Sequence, residues 1–212
     1  MLKCIVLAAA LSAPLLSAQA QAHPHAFIDF KVELVFDPAG RLTALRETWL
    51  FDEAYTAFST EGFPNDTRKY QSKLDALSAE NLANLRDYDY FTRVEAGGRK
   101  LAFGKATEAK TRQVDKRLEM SFLVPLSQPL AMGAGAVTYA VYDPPYYTEM
   151  LHAESDDAIR LLNAPAGCRH RMVPPEPPAE AVGLARALDR TQSAGDSLGA
   201  NFAEKVEIRC GE

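Results

Sequence analysis

Residues 26–51 read AFIDFKVELVFDPAGRLTALRETWLF, and the phase of this stretch decides the fold. Ala26, Ile28, Phe30, Val32 and Leu34 occupy every second position, the period of a strand with one buried face. Asp37-Pro38-Ala39-Gly40 is a turn, and residues 41–51 return as a second strand, so the stretch predicts a β-hairpin. On its C-terminal side Asp52 is placed to cap a short helix, EAYTAFST, which stops at Gly62 and Pro64. A longer helical pattern follows in YQSKLDALSAENLANLRDY, where Leu74, Leu77, Leu82 and Leu85 approximate helical spacing and Ser78 and Glu80 mark an internal break.

Strand patterns then resume. YFTRVEA, KLAFG, TEAKTRQV and RLEMSFLVPL come first, and AVTYAVYD, YYTEMLHA, AIRLLNA and CRHRMV follow a Gly/Ala-rich turn. VPPEPPAE is an extended connector that leads to a helix, AEAVGLARALDRT, and a final strand, EKVEIRC. The expected fold class is mainly β (α+β): an antiparallel β-sandwich with a helical insertion at about residues 52–88. A C-terminal tail at about residues 174–212, carrying one helix and one strand, completes a single domain over 23–212.

On the N-terminal side, MLKCIVLAAALSAPLLSAQAQA has one lysine, a short apolar run and A-x-A patterns at Ala18-Gln19-Ala20 and Ala20-Gln21-Ala22. That is the layout of a cleaved signal peptide over residues 1–22, and the run is short for a membrane span. The alternative is an uncleaved anchor. No later segment approaches the ~20 apolar residues of a spanning helix. The mature protein is therefore expected in the periplasm and not in the membrane. The chain carries 23 Lys+Arg against 28 Asp+Glu, an acidic balance without a basic stripe that argues against a nucleic-acid partner. Loss of the leader removes Cys4 and leaves Cys168 and Cys210. In an oxidising compartment an even pair reads as a disulfide, which would tie the tail back to the strand bearing Cys168. A thiolate metal site is the competing reading.

Cleavage after Ala22 would start the chain at His23-Pro24-His25. The new amine, with a pKa of about 7.7–8.0, and the imidazoles of His23 and His25 could then chelate a metal as a histidine brace. Pro24 has no amide hydrogen to lose, which closes the square-planar N-terminal site to this terminus. Cleavage after Ala20 would instead begin Gln21-Ala22-His23, where both amides are available and Cu(II) or Ni(II) is favoured. Alanine precedes either cut, so the choice stays open. Further ligands are sought among His152, Glu149, Asp52 and Glu53. Against this stands the plain possibility of solvated terminal histidines, with His152 as an ordinary strand residue.

Several stretches together carry a resemblance. HPHAFIDFKVELVFDPAGRLTALRETWLFDEAYTAF, DYDYFTRVEAGGRKLAFG, VTYAVYDPPYY and NAPAGC are similar, in this order, to the domain of unknown function 1007, a family of secreted bacterial proteins. Such proteins are described as the periplasmic component of an uncharacterised ABC-type transport system, often beside nickel/cobalt transporters. The resemblance implies a metal-handling accessory whose partner is an inner-membrane metal transporter. It carries over His23 and His25, Trp49 and Asp52 from WLFDEAY, and Tyr142, Asp143 and Tyr146 from YDPPYY. Some relatives carry an EF-hand-like loop, but GFPNDTRKYQSKLDAL lacks its turn glycine and terminal glutamate, so no calcium site is expected.

The expected function is thus non-enzymatic: binding of a divalent transition metal (nickel, cobalt, copper or zinc) through His23 and His25, with His152 and Asp52 as added ligands. No organic cofactor is indicated. One alternative is a metal-independent scaffold contacting a membrane transporter through Asp143 and Tyr146. Another is a copper-dependent oxidase, although no GxSxG, P-loop or HExxH motif suggests catalysis.

Overall fold

The computed structural model describes residues 24–133, 135–188, 192 and 194–211. The expected leader, His23 and the last residues of the expected C-terminal helix lie outside that set. Strands β1 (Ala26–Phe36) and β2 (Arg41–Phe51) form the expected hairpin, with Phe30 opposite Trp49 and Leu34 opposite Leu45. Phe30, Val32, Leu34, Leu45 and Trp49 are all buried. Each such side chain contributes about 1.5–3 kcal/mol by leaving water, so a one-residue slip that turned β1 inside out would be prohibitive.

Two helices follow, α1 (Glu53–Ser59) and α2 (Thr67–Leu85). The second begins earlier than the periodicity suggests, because Asp66 accepts the Lys69 backbone N–H and caps it. It also runs unbroken through Ser78. That residue is buried, with its hydroxyl against the Leu74 carbonyl and the Thr111 hydroxyl, so it is a packing position and not a break. Residues 86–91 form a 3-10 turn and lead to β3 (Thr92–Ala96) and the two-residue β4 (Arg99–Lys100). The expected KLAFG strand shrinks to β4 and a bridge between Phe103 and Leu126. Then come β5 (Thr107–Val114), β6 (Arg117–Ala131), β7 (Val137–Val141), β8 (Thr148–His152), β9 (Ile159–Leu162), β10 (Arg169–Val173), α3 (Ala179–Ala187) and β11 (Lys205–Arg209).

The strands make two sheets. The first has the order β5-β6-β2-β1-β8, with β9 also on β1; the second is β10-β11-β7-β3-β4. Their inner faces share one core, to which Phe30, Trp49 and Phe122 come from the first sheet and Val94, Tyr139 and Ile208 from the second. This is a mainly β sandwich with a helical insertion, as expected.

One feature differs. Strands β8 and β9 pair with β1 in parallel, in the registers Ala26 to Thr148 and Val32 to Ile159. The chain leaves β7 in the second sheet and crosses to the first at the end where β1 begins, so β8 must run the same way. Residues between β8 and β9 bulge outward, and the two short strands divide one edge of β1 between them.

The Cys168–Cys210 disulfide flanks the pair Arg169 and Arg209 and fastens β10 to β11. The tail's other contacts form a small second apolar cluster of Tyr146, Ala181, Ala185, Leu188 and Leu198. A Cβ on Gly199 would come within 1.9 Å of the Asp143 carbonyl oxygen, so only glycine lets the tail lie this close to the YDPPYY turn.

Candidate functional site

Three motifs separated in sequence meet at the end of the sandwich where β1 starts. The first is the segment before β1. The His25 backbone N–H donates to the Tyr147 carbonyl at 2.8 Å, and the His25 ring lies 4.8 Å from that of Tyr147. The second is WLFDEAY. Asp52 stands opposite Phe27, to whose carbonyl its N–H donates, yet the Phe27 N–H bonds to Asp52 Oδ2 and not to its carbonyl. The carbonyl is thereby released to accept from Thr56, while Oδ1 caps α1 by accepting from Tyr55. One carboxylate ends the β1–β2 ladder and starts a helix.

The third motif is YDPPYY. The buried Asp143 carboxylate accepts the Thr148 N–H at 2.8 Å, and the Tyr146 N–H closes the turn on the Asp143 carbonyl. Tyr146 takes a left-handed φ of 63°. Its ring stacks on Phe202 of the tail at 4.1 Å, and its hydroxyl donates to Glu149. Burial, and next the Glu149 charge, hold the Tyr146 phenol well above its ordinary pKa. The expected partner-loop residues Asp143 and Tyr146 are thus tied into the turn and the tail.

The described candidates His25, His152 and Asp52 form no metal-holding group. His23 lies outside the described residues. His25 and His152 sit on opposite faces of the first sheet, because strand alternation sends positions 25, 27 and 29 outward and 148, 150 and 152 inward. They are also five residues apart along β8, about 16 Å. Both oxygens of Asp52 are engaged by backbone N–H groups. Among the described residues no three His, Cys, Asp or Glu side chains are grouped to hold a metal ion. In the structure His152 and Asp52 carry structural hydrogen bonds.

What His152 does instead is join the two sheets. It is buried, with Nδ1 2.8 Å from Glu204 Oε2 and Nε2 2.9 Å from the Tyr139 hydroxyl. A carboxylate only accepts, so Nδ1 carries a proton towards Glu204, and in a neutral imidazole Nε2 accepts from Tyr139. The His152 backbone N–H also donates to Glu204. Burial pushes the Glu204 carboxyl up, but the bonds from the His152 ring and backbone outweigh it and leave the pKa below its usual value. Tyr139 is raised by burial and by the Glu47 and Glu204 charges.

Glu47 is the second charged group inside the sandwich. It is fully buried on β2, accepts from Trp49 Nε1 at 2.8 Å, and accepts from the Thr92 hydroxyl of β3 at 2.6 Å. Burial pushes its carboxyl up to about 7, against the lowering effect of those two bonds. Neither Glu47 nor Glu204 is a sequence-predicted site residue. A signal existed for Glu47: it shares the inward phase of Leu45, Trp49 and Phe51, where a charge is out of place. For Glu204, at the start of the last strand, there was none.

The chain belongs to the family described as Protein of unknown function (DUF1007), whose model matches residues 7–210. It is similar to an uncharacterized protein of Haemophilus influenzae (strain ATCC 51907 / DSM 11121 / KW20 / Rd), at 27% identity over 194 residues, 89% of this chain and 91% of that one. No solved structure matches it.

Proposed function

We propose that this DUF1007 protein is an exported, periplasmic accessory of a metal transport system, holding a transition ion at its His-Pro-His segment for exchange with a membrane transporter. The observation that supports this reading is the attachment of His25. Its backbone is pinned to β8 while its ring stands on the outer face beside Tyr147. A histidine anchored by its backbone on a rigid sheet end is held in one orientation, half-buried with its Nε2 screened from solvent. With Asp52 and His152 occupied elsewhere, the protein's donors are the two imidazoles and the terminal amine freed by cleavage. Nitrogen donors of this kind suit copper, nickel or zinc, and an incomplete ligand set leaves positions for a receiving partner. No helix among the described residues is long and apolar enough to cross a membrane, so the transporter is a separate partner.

The test is a titration of protein with its native processed terminus against Ni(II), Co(II), Cu(II) and Zn(II). Replacing His23 and His25 together by alanine is expected to weaken binding at least tenfold, while Asp52→Asn leaves it within twofold. Equal binding by wild type and the double variant would end the reading. A metal-independent interaction module is favoured by a different observation: Phe27 and Tyr147 are nearly half exposed, with Leu151 also exposed, on the outer face around β8. Association with a transporter that survives chelation and loss of both histidines would select that reading instead.

A further inference from the structure

Behind the start of β1, on the face opposite to His25, lies a cavity of about 170 Å³. Its floor and walls are apolar, formed by Ile28, Trp49, Phe51, Phe91 and Met120. Helix α2 supplies its mouth with Asn81 and Asn84, three residues apart and so on one side of the helix. The Tyr55 ring completes the rim. No charged side chain lines it.

Protein interiors are packed to crystal density, and voids of this size are few. A helix that merely covered a sheet would present apolar side chains here, as α2 does with Leu74, Leu77 and Leu82. Beside Leu85 it presents two carboxamides, Asn81 half-buried and Asn84 exposed, and among the described residues neither they nor the Tyr55 hydroxyl have a hydrogen-bond partner within the chain. An apolar pocket with a few convergent polar groups is the general form of a small-molecule site.

We propose that this cavity binds a neutral, single-ring aromatic molecule carrying one hydrogen-bonding group, of which phenol is the simplest representative. The size fits, since an apolar protein cavity of about 150 Å³ admits benzene. The aromatic walls of Trp49, Phe51 and Phe91 match a flat ring. The uncharged lining excludes an ion, which would lose its hydration without compensation. A carboxamide both donates and accepts, so Asn81 and Asn84 can meet a hydroxyl or an amide in either sense. This site shares no side chain with the His-Pro-His segment and stands or falls separately from it.

Trp49 is the chain's single tryptophan and forms part of the wall, so its fluorescence reports occupancy. The protein is titrated with phenol, toluene and benzoate, with excitation to the red of phenol absorption. Phenol is expected to give a saturable change with a midpoint on the order of 1 mM, toluene one at least fivefold weaker, and benzoate none. Asn81→Leu/Asn84→Leu, which closes the mouth, should abolish the phenol response while the far-ultraviolet circular dichroism stays unchanged. A linear, unsaturable change common to all three compounds would overturn the proposal, as would a phenol response that survives in the folded double variant. Should that variant fail to fold, the ranking of the three compounds on the wild type decides.

Discussion

Glu47 shows how much one residue can impose on a β-sandwich. Its folded pKa of about 7 stands above the ordinary value of 4.5, so between those values the native state keeps a proton that the unfolded chain has released. Stability then falls as pH rises through that window, by up to about 3 kcal/mol. Glu47→Gln removes the titration and keeps the shape. The melting temperature of the wild type is expected to decline from pH 5 to pH 8, and the variant's profile should be distinctly flatter, as read by thermal denaturation at a series of pH values. Glu204 acts in the opposite sense: its lowered pKa gives stability that is present above the unfolded value and lost as pH falls through the folded one. The charge of Glu47 among inward positions could be read in the hairpin itself. The partnership of His152 with Tyr139 and Glu204 could not, because it joins strands of two sheets and a strand pattern says nothing about what faces it across the core.

At the scale of elements, Asp52 is the joint between the hairpin and the helical insertion. Asp52→Ala leaves the Phe27 and Tyr55 N–H groups without their acceptors and is expected to cost about 1–2 kcal/mol. Asn can serve only one of them with its single carbonyl oxygen, so Asp52→Asn should fall between the two in chemical denaturation. An alanine variant as stable as wild type would show that water replaces the carboxylate at no cost. The hairpin, the cap and most strands were legible because they depend on local period and on turn residues. The parallel placement of β8 and β9 on β1 was not, since it follows from which sheet the chain has just left. Likewise Ser78 looked like a helix break, because its hydroxyl competes for backbone; only Thr111 on β5 explains why it is buried.

For the whole molecule, the disulfide decides how firmly the tail is held. Cys168 and Cys210 are 42 residues apart, and closing such a loop stabilises by about 4 kcal/mol in the chain-entropy model. Replacing both cysteines by serine should lower the melting temperature by roughly 10 °C in a protein of this size, measured by calorimetry against the oxidised wild type. The pairing was legible from the cysteine count once Cys4 is assigned to a leader. What the tail covers was not, for that depends on Gly199 fitting against the Asp143 carbonyl and Phe202 stacking on Tyr146.

The same tail has an effect on how neighbouring molecules meet. Strand β8 forms a border of its sheet, and two of its amides, at Thr148 and His152, already donate to the carboxylates of Asp143 and Glu204. An incoming strand would find those two donors already taken, and its own carbonyl oxygens would approach the two carboxylates. Open sheet borders invite chains to zip together. Here carboxylates occupy part of that border, which makes β8 a poorer template for a second copy than a bare strand would be.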